Sequence, residues 1–154
     1  MKKITVIVLS ALLLVSLAAC GAPKQAEKDV DLQALYQSFE DMLPNMFLPE
    51  GDMRLNYMGI EEADCVKAIT AVSEDGLAAD EVWLIQAKDA DALARLKALA
   101  ENRLAMKADE TVDYNPEQYK VVEKGVVLTS GNYLALLVSP QVDAMKAAFE
   151  EAMK

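Results

Sequence analysis

Two short segments, Val82 to Ala87 (VWLIQA) and Tyr133 to Val138 (YLALLV), constrain the fold of this chain more than any other feature. Alternate side chains of a strand point to opposite faces, so Val82 and Leu84 face one way and Trp83 and Ile85 the other. A sheet wetted on one side alternates apolar with polar residues, whereas strands that are apolar throughout are buried on both faces. The sheet built on these segments therefore needs two covers. The second cover is expected from the segment Leu32 to Leu43 or from something outside the chain.

Both segments end hairpin patterns. Val66 to Val72 is rich in β-formers and leads through the polar connection Ser73 to Asp80 (SEDGLAAD) into Val82. Val126 to Thr129, the turn Ser130-Gly131-Asn132 and Tyr133 to Ser139 make a second, tighter hairpin with suitable turn residues. A helix follows each. Asp89 caps a run to about Ala108 with Leu93, Leu96, Ala100 and Leu104 on one stripe, and Ser139-Pro140 opens a last helix striped by Val142, Met145, Phe149 and Ala152. Asn115-Pro116 starts a short helix or turn before Gly125. Upstream, Leu32, Leu35, Phe39 and Met42 stand at helical spacing in Asp31 to Leu43, Pro44 ends that run, and Pro44 to Asp52 (PNMFLPEGD) reads as a loop. An offset of 52 residues aligns Leu84-Ile85 with Leu136-Leu137 and Asp91-Ala92-Leu93 with Asp143-Ala144-Met145, a weak internal repeat. The expected fold is α+β: a two-layer, four-stranded, mainly antiparallel sheet from two ββα units with the long helices on one face, plus an N-terminal helix. A chain of 154 residues has room for one such domain, expected over residues 31–154.

The N-terminus is of another kind. Lys2 and Lys3, the apolar stretch Ile4 to Leu17 and the small residues Ala18 and Ala19 precede Cys20, which is the layout of a secretion signal over residues 1–19. The cysteine directly after Leu17-Ala18-Ala19 resembles a bacterial lipobox, whose cysteine is acylated and becomes the first mature residue. The resemblance implies lipidation at Cys20 and anchoring on the extracytoplasmic face of the cell membrane, with two acyl chains enough for a stable hold. Residues 20–30 are then the lipidated cysteine and a polar tether. Removal of the leader takes 2 of the 15 basic residues and none of the 25 acidic ones, leaving 13 against 25, a net charge of −12. Such a domain repels polyanions, so nucleic acid is not an expected partner.

The chain contains no histidine. That removes Ser-His-Asp and Cys-His nucleophile systems and histidine-ligated zinc from the mechanisms open to it. With Cys20 acylated, Cys65 has no intrachain partner, and its apolar surroundings predict a buried, inert thiol. The acidic clusters, such as Glu61-Glu62-Ala63-Asp64 and Ser73-Glu74-Asp75-Gly76, fit no twelve-residue calcium loop. No phosphate-cradling glycine loop and no CxxC pair occurs, and no cofactor or metal site is expected. Met42, Met46, Met53 and Met58, with Phe47 and Tyr57 between them, surround the Pro44 to Asp52 loop as core filling or an adaptable binding lip. Met46, Phe47 and Met53 are the partner-binding candidates, and Trp83 joins them despite its place in a doubly apolar strand.

Met58-Gly59-Ile60 before an acidic start, Glu81-Val82-Trp83-Leu84-Ile85-Gln86-Ala87, Asn115-Pro116-Glu117-Gln118-Tyr119 and Gly131-Asn132-Tyr133 carry a resemblance to a known family. Together with the leader, they make the chain similar to the lipoproteins of Gram-positive anaerobes that share domain of unknown function 4358. The resemblance implies an exported, anchored α+β domain and brings no activity and no site residues. The expected function is that of a noncatalytic binding or accessory module with an envelope protein or peptide as partner. The alternatives are a solute- or cation-binding lipoprotein and a carboxylate-based envelope hydrolase.

Overall fold

The structure, a computed structural model, describes residues 29–154. The expected signal segment, Cys20 and most of the expected tether lie outside the described residues. The end of that tether does not. Val30 is buried and donates its backbone N–H to Tyr133 Oη at 3.0 Å, so packing begins before the expected boundary at residue 31.

Helix α1 spans Leu32–Gln37, capped by Asp31, whose side chain accepts from the N–H groups of Gln33 and Ala34. It stops earlier than the apolar spacing suggests because Ser38 turns its hydroxyl back onto the Leu35 carbonyl at 2.6 Å, and a short 3-10 turn, Glu40–Met42, follows. The expected loop contains a two-residue strand, β1 (Met46–Phe47), and leads into helix α2 (Asp52–Met58), which ends at Gly59 with φ +72°. Strands β2 (Cys65–Ser73) and β3 (Glu81–Ala87) form the first hairpin. Helix α3 runs over Ala90–Val112 behind the Asp89 cap, and α4 covers Pro116–Glu123 with Asn115 as cap and Pro116 in its first turn. Strands β4 (Val126–Ser130) and β5 (Tyr133–Val138) meet through Gly131-Asn132, where Gly131 takes φ +56°, and helix α5 (Val142–Ala152) closes the chain.

The fold is α+β. Its sheet is antiparallel throughout and has five strands in the order β1-β2-β3-β5-β4, one more than the four expected because β1 pairs with the end of β2. The central strands β3 and β5 are buried along their whole lengths, as their doubly apolar sequences require.

The layer arrangement corrects the expectation of both long helices on one face. Trp83, Ile85, Leu134, Leu136 and Val138 pack with Ala92, Leu96 and Ala100 of α3 and Val122 of α4. Val82, Leu84, Tyr133, Ala135 and Leu137 pack with Leu35 and Phe39 from the α1 segment and with Val142, Met145 and Phe149 of α5. The reason is register. Trp83 stands opposite Leu136 and Val82 opposite Leu137, so each pair sums to an odd number and an even-numbered residue of β3 shares a face with odd-numbered residues of β5. A translation by 52 preserves parity, so equivalent residues of the two units fall on opposite faces, and their helices follow them. Area points the same way: the six-residue α1 is too short to cover five strands alone.

Candidate functional site

Strand β3 opens with a charge in an otherwise apolar run. Glu81 lies on the α3 face with Trp83 and is fully buried. A buried carboxylate needs donors on all sides, and it has them. Trp83 Nε1–H donates to Oε1 at 2.8 Å, Arg103 donates from Nε to both oxygens at 3.1 Å and from Nη2 to Oε2 at 3.0 Å, and Lys107 Nζ lies 3.0 Å from Oε2. Arg103 and Lys107 are one helical turn apart on α3, so both reach the same strand end. Lys107 also donates to the Ala79 carbonyl at 3.0 Å, tying the β2–β3 connection to the helix. The cluster holds two cations against one fixed anion.

Asp80 precedes it. The residue is 6% exposed, and its Oδ1 has no hydrogen-bond partner. Burial pushes its carboxyl above the ordinary carboxylate range, with the Ser139 hydroxyl and the Lys107 charge pulling the other way. Its backbone carbonyl accepts from Ser73 N–H at 3.0 Å, which closes the connection.

Asp80, Arg103 and Lys107 line a cleft of about 240 Å³, with Glu81 behind them. Its apolar wall is Phe47 of β1, Pro49, Tyr57 and Met58 of α2, and Val72 of β2; its polar wall is Asp80, Arg103 and Lys107, with Asp75 and Gly76 from the connection. Tyr57 at 69% and Phe47 at 40% exposure form the rim, while the Arg103 and Lys107 side chains, 25% and 12% exposed, lie deeper. Helix α2 is held there by Arg54, which donates from Nε to Thr70 Oγ1 at 3.2 Å and from Nη2 to the Ala68 carbonyl at 3.3 Å, while Thr70 donates to the Pro49 carbonyl at 3.0 Å. The arrangement also covers the open edge of β2, which would otherwise offer unpaired backbone groups.

Two larger depressions are more open. One of about 450 Å³ beside Asp64 and Arg95 presents an ion pair already complete at the surface, where Arg95 holds the Asp64 carboxyl below its usual range. The other, about 330 Å³ between Leu128 and Phe149, lies beside the edge strand β4. Among the described residues no three cysteine or carboxylate side chains converge as a cation site.

The partner-binding candidates do not converge. Phe47 lines the cleft, Met46 turns toward the α1 and α5 side, and Met53 is exposed on α2 without reaching the cleft lining. Trp83 is corrected outright: it has no exposed surface and serves the cleft only through its hydrogen bond to Glu81. Its doubly apolar strand explains why. Cys65 is half-buried rather than enclosed, its Sγ 3.6 Å from the Glu61 carbonyl, and burial pushes its thiol up, which disfavours the reactive thiolate. The buried cluster behind the cleft, Glu81 with Arg103 and Lys107, was marked in the sequence only by an acid heading an apolar strand and two cations four residues apart on a helix.

Residues 38–139 match the family described as domain of unknown function (DUF4358). The chain belongs to the DUF4358 family. The matched span contains β1 to β5, α2 to α4 and every residue of the cleft, whereas α1 and α5, which cover one face of the sheet, lie outside it. No curated protein and no solved structure matches the chain. Among the described residues no helix is long and apolar enough to cross a membrane.

Proposed function

We propose that this DUF4358 chain is an exported, lipid-anchored binding module without catalysis of its own, held at the outer face of the cell membrane through Cys20, with the β2–α2–α3 cleft as its ligand site. The anchor rests on the leader: a basic start, an apolar stretch and Ala18-Ala19 before Cys20. The binding reading rests on one observation, the meeting of an apolar rim at Phe47 and Tyr57 with two cations held in place by the buried Glu81. Ligand sites combine an apolar wall with a few fixed polar groups, and the cleft has both. Glu81 is enclosed and saturated with donors, a state suited to positioning Arg103 and Lys107 rather than to proton transfer.

Both halves are tested in intact cells. Cys20→Ser should move the protein from the membrane fraction to the soluble one, and retention after a salt wash would refute the anchor. A photoreactive amino acid in place of Tyr57 should form adducts detectable by mass spectrometry, whereas one in place of the exposed Met106 on α3 should not. Equal labelling at the two positions, or none at Tyr57, removes the cleft as the binding site.

A further inference from the structure

We propose that the cleft takes a small organic monocarboxylate, its apolar body against Phe47 and Tyr57 and its carboxylate on Arg103 and Lys107. The inference rests on the reading of the cleft as a binding site and specifies what binds. Arg103 spends Nε and Nη2 on Glu81, but Nη1 makes no hydrogen bond among the described residues. The guanidinium is therefore pinned along one edge and keeps donors free on a side chain that lines the cleft. Lys107 likewise uses two directions, toward Glu81 and the Ala79 carbonyl, and an ammonium has three donors. Rotamer freedom of both long side chains is already spent in the unliganded fold, so an incoming anion meets preorganised donors.

Charge selects the class. Within the buried cluster Arg103 and Lys107 outnumber Glu81 by one charge; of the two further acids in the lining, Asp75 is exposed to solvent and Asp80 is pushed by burial toward its protonated form. A single carboxylate balances that surplus, whereas a phosphate dianion would leave a negative charge over beside the same aspartates, and a cation would meet Arg103 and Lys107. Size and lining select the rest: about 240 Å³ is less than a drug-sized ligand fills, and Phe47, Tyr57, Met58 and Val72 want an apolar group beside the carboxylate.

The test uses the mature chain, residues 20–154, made soluble by Cys20→Ser and followed by amide resonances during titration. N-acetylphenylalanine should shift cleft resonances, including Phe47 and Tyr57, and bind about tenfold more tightly than N-acetylphenylalaninamide, which has the same body without the charge. Arg103→Lys keeps a cation for Glu81 while removing the free guanidinium edge, and should narrow the gap between acid and amide by weakening the acid alone. Should that variant fold poorly, Tyr57→Asp, at an exposed rim position, should weaken the acid more than the amide. Acid and amide binding equally well in the cleft would overturn the carboxylate assignment while leaving the cleft as a binding site. Shifts confined to residues outside it, or none up to about 10 mM acid, would overturn the proposal as well. The Tyr57 crosslinking experiment judges the broader reading separately.

Discussion

At the scale of single residues, the molecule is organised by one buried carboxylate. Glu81 tolerates full burial only because Trp83, Arg103 and Lys107 all donate to it, and the same bonds hold two cations at the cleft. Replacing it leaves those cations partly buried and unpaired. Glu81→Ala should therefore destabilise the domain by about 3–5 kcal/mol, the usual cost of removing one partner of a buried ion cluster, as read from urea unfolding. A loss below about 1 kcal/mol would mean that water replaces the carboxylate. Its neighbour Asp80 behaves in the opposite sense. Burial raises its carboxyl above the unfolded value of 3.8, so the folded state holds that proton more tightly. The stabilisation is complete below the unfolded value and is lost as pH rises through the folded one. Asp80→Asn preserves the shape of the neutral form, so it should gain stability over wild type as pH climbs from about 3.5 to about 7. Parallel stability curves for the two proteins would contradict the burial argument.

Among the elements, α1 is the shortest α-helix described, yet it carries much of one sheet face. Leu32, Leu35 and Tyr36, with Phe39 just beyond, cover sheet residues that α5 does not reach alone, and Val30 fastens the segment to Tyr133. A chain lacking residues 29–43 should expose several hundred Å² of apolar sheet, more than a soluble monomer usually carries, and should bind a hydrophobic dye or aggregate. Trp83, on the other face, should keep its buried emission. A truncated chain that stays monomeric and dye-free would show that α5 covers the face alone. The starts of α3 and α4 were legible from the Asp89 and Asn115-Pro116 caps, and β3 and β5 from their apolar runs, but α3 continues to Val112, past the end expected near Ala108. The end of α1 was not legible: the side-chain spacing continues to Met42, but the Ser38 hydroxyl bond to Leu35 ends the helix. Strand β1 was hidden because two residues carry no periodicity; it exists because the end of β2 offers Val72 and Ser73 as partners.

For the molecule as a whole, β3 and β5 belong to both cores at once, which ties the two sides of the sheet into one unit. Unfolding should accordingly be a single transition. Fluorescence of Trp83, the chain's only tryptophan, which lies on the α3 side, and far-UV circular dichroism should trace the same urea curve. Separated midpoints would mean that α1 and α5 detach before the rest.

The sequence by itself determined the α+β class, the two hairpins and their following helices, and the need for a cover on each sheet face, because periodicity, caps and turn residues are local properties. It also supplied the acidity of the chain and the absence of histidine chemistry. Only the tertiary structure decided which helix covers which face, since a one-residue change of register exchanges every side chain of a strand between faces and no local signal records it. The cleft was decided at the same level. Phe47, Tyr57, Asp80 and Arg103 come from four separate segments, and what brings them together is the packing of α3 on the sheet and the neutralisation of one charge that could not be buried alone.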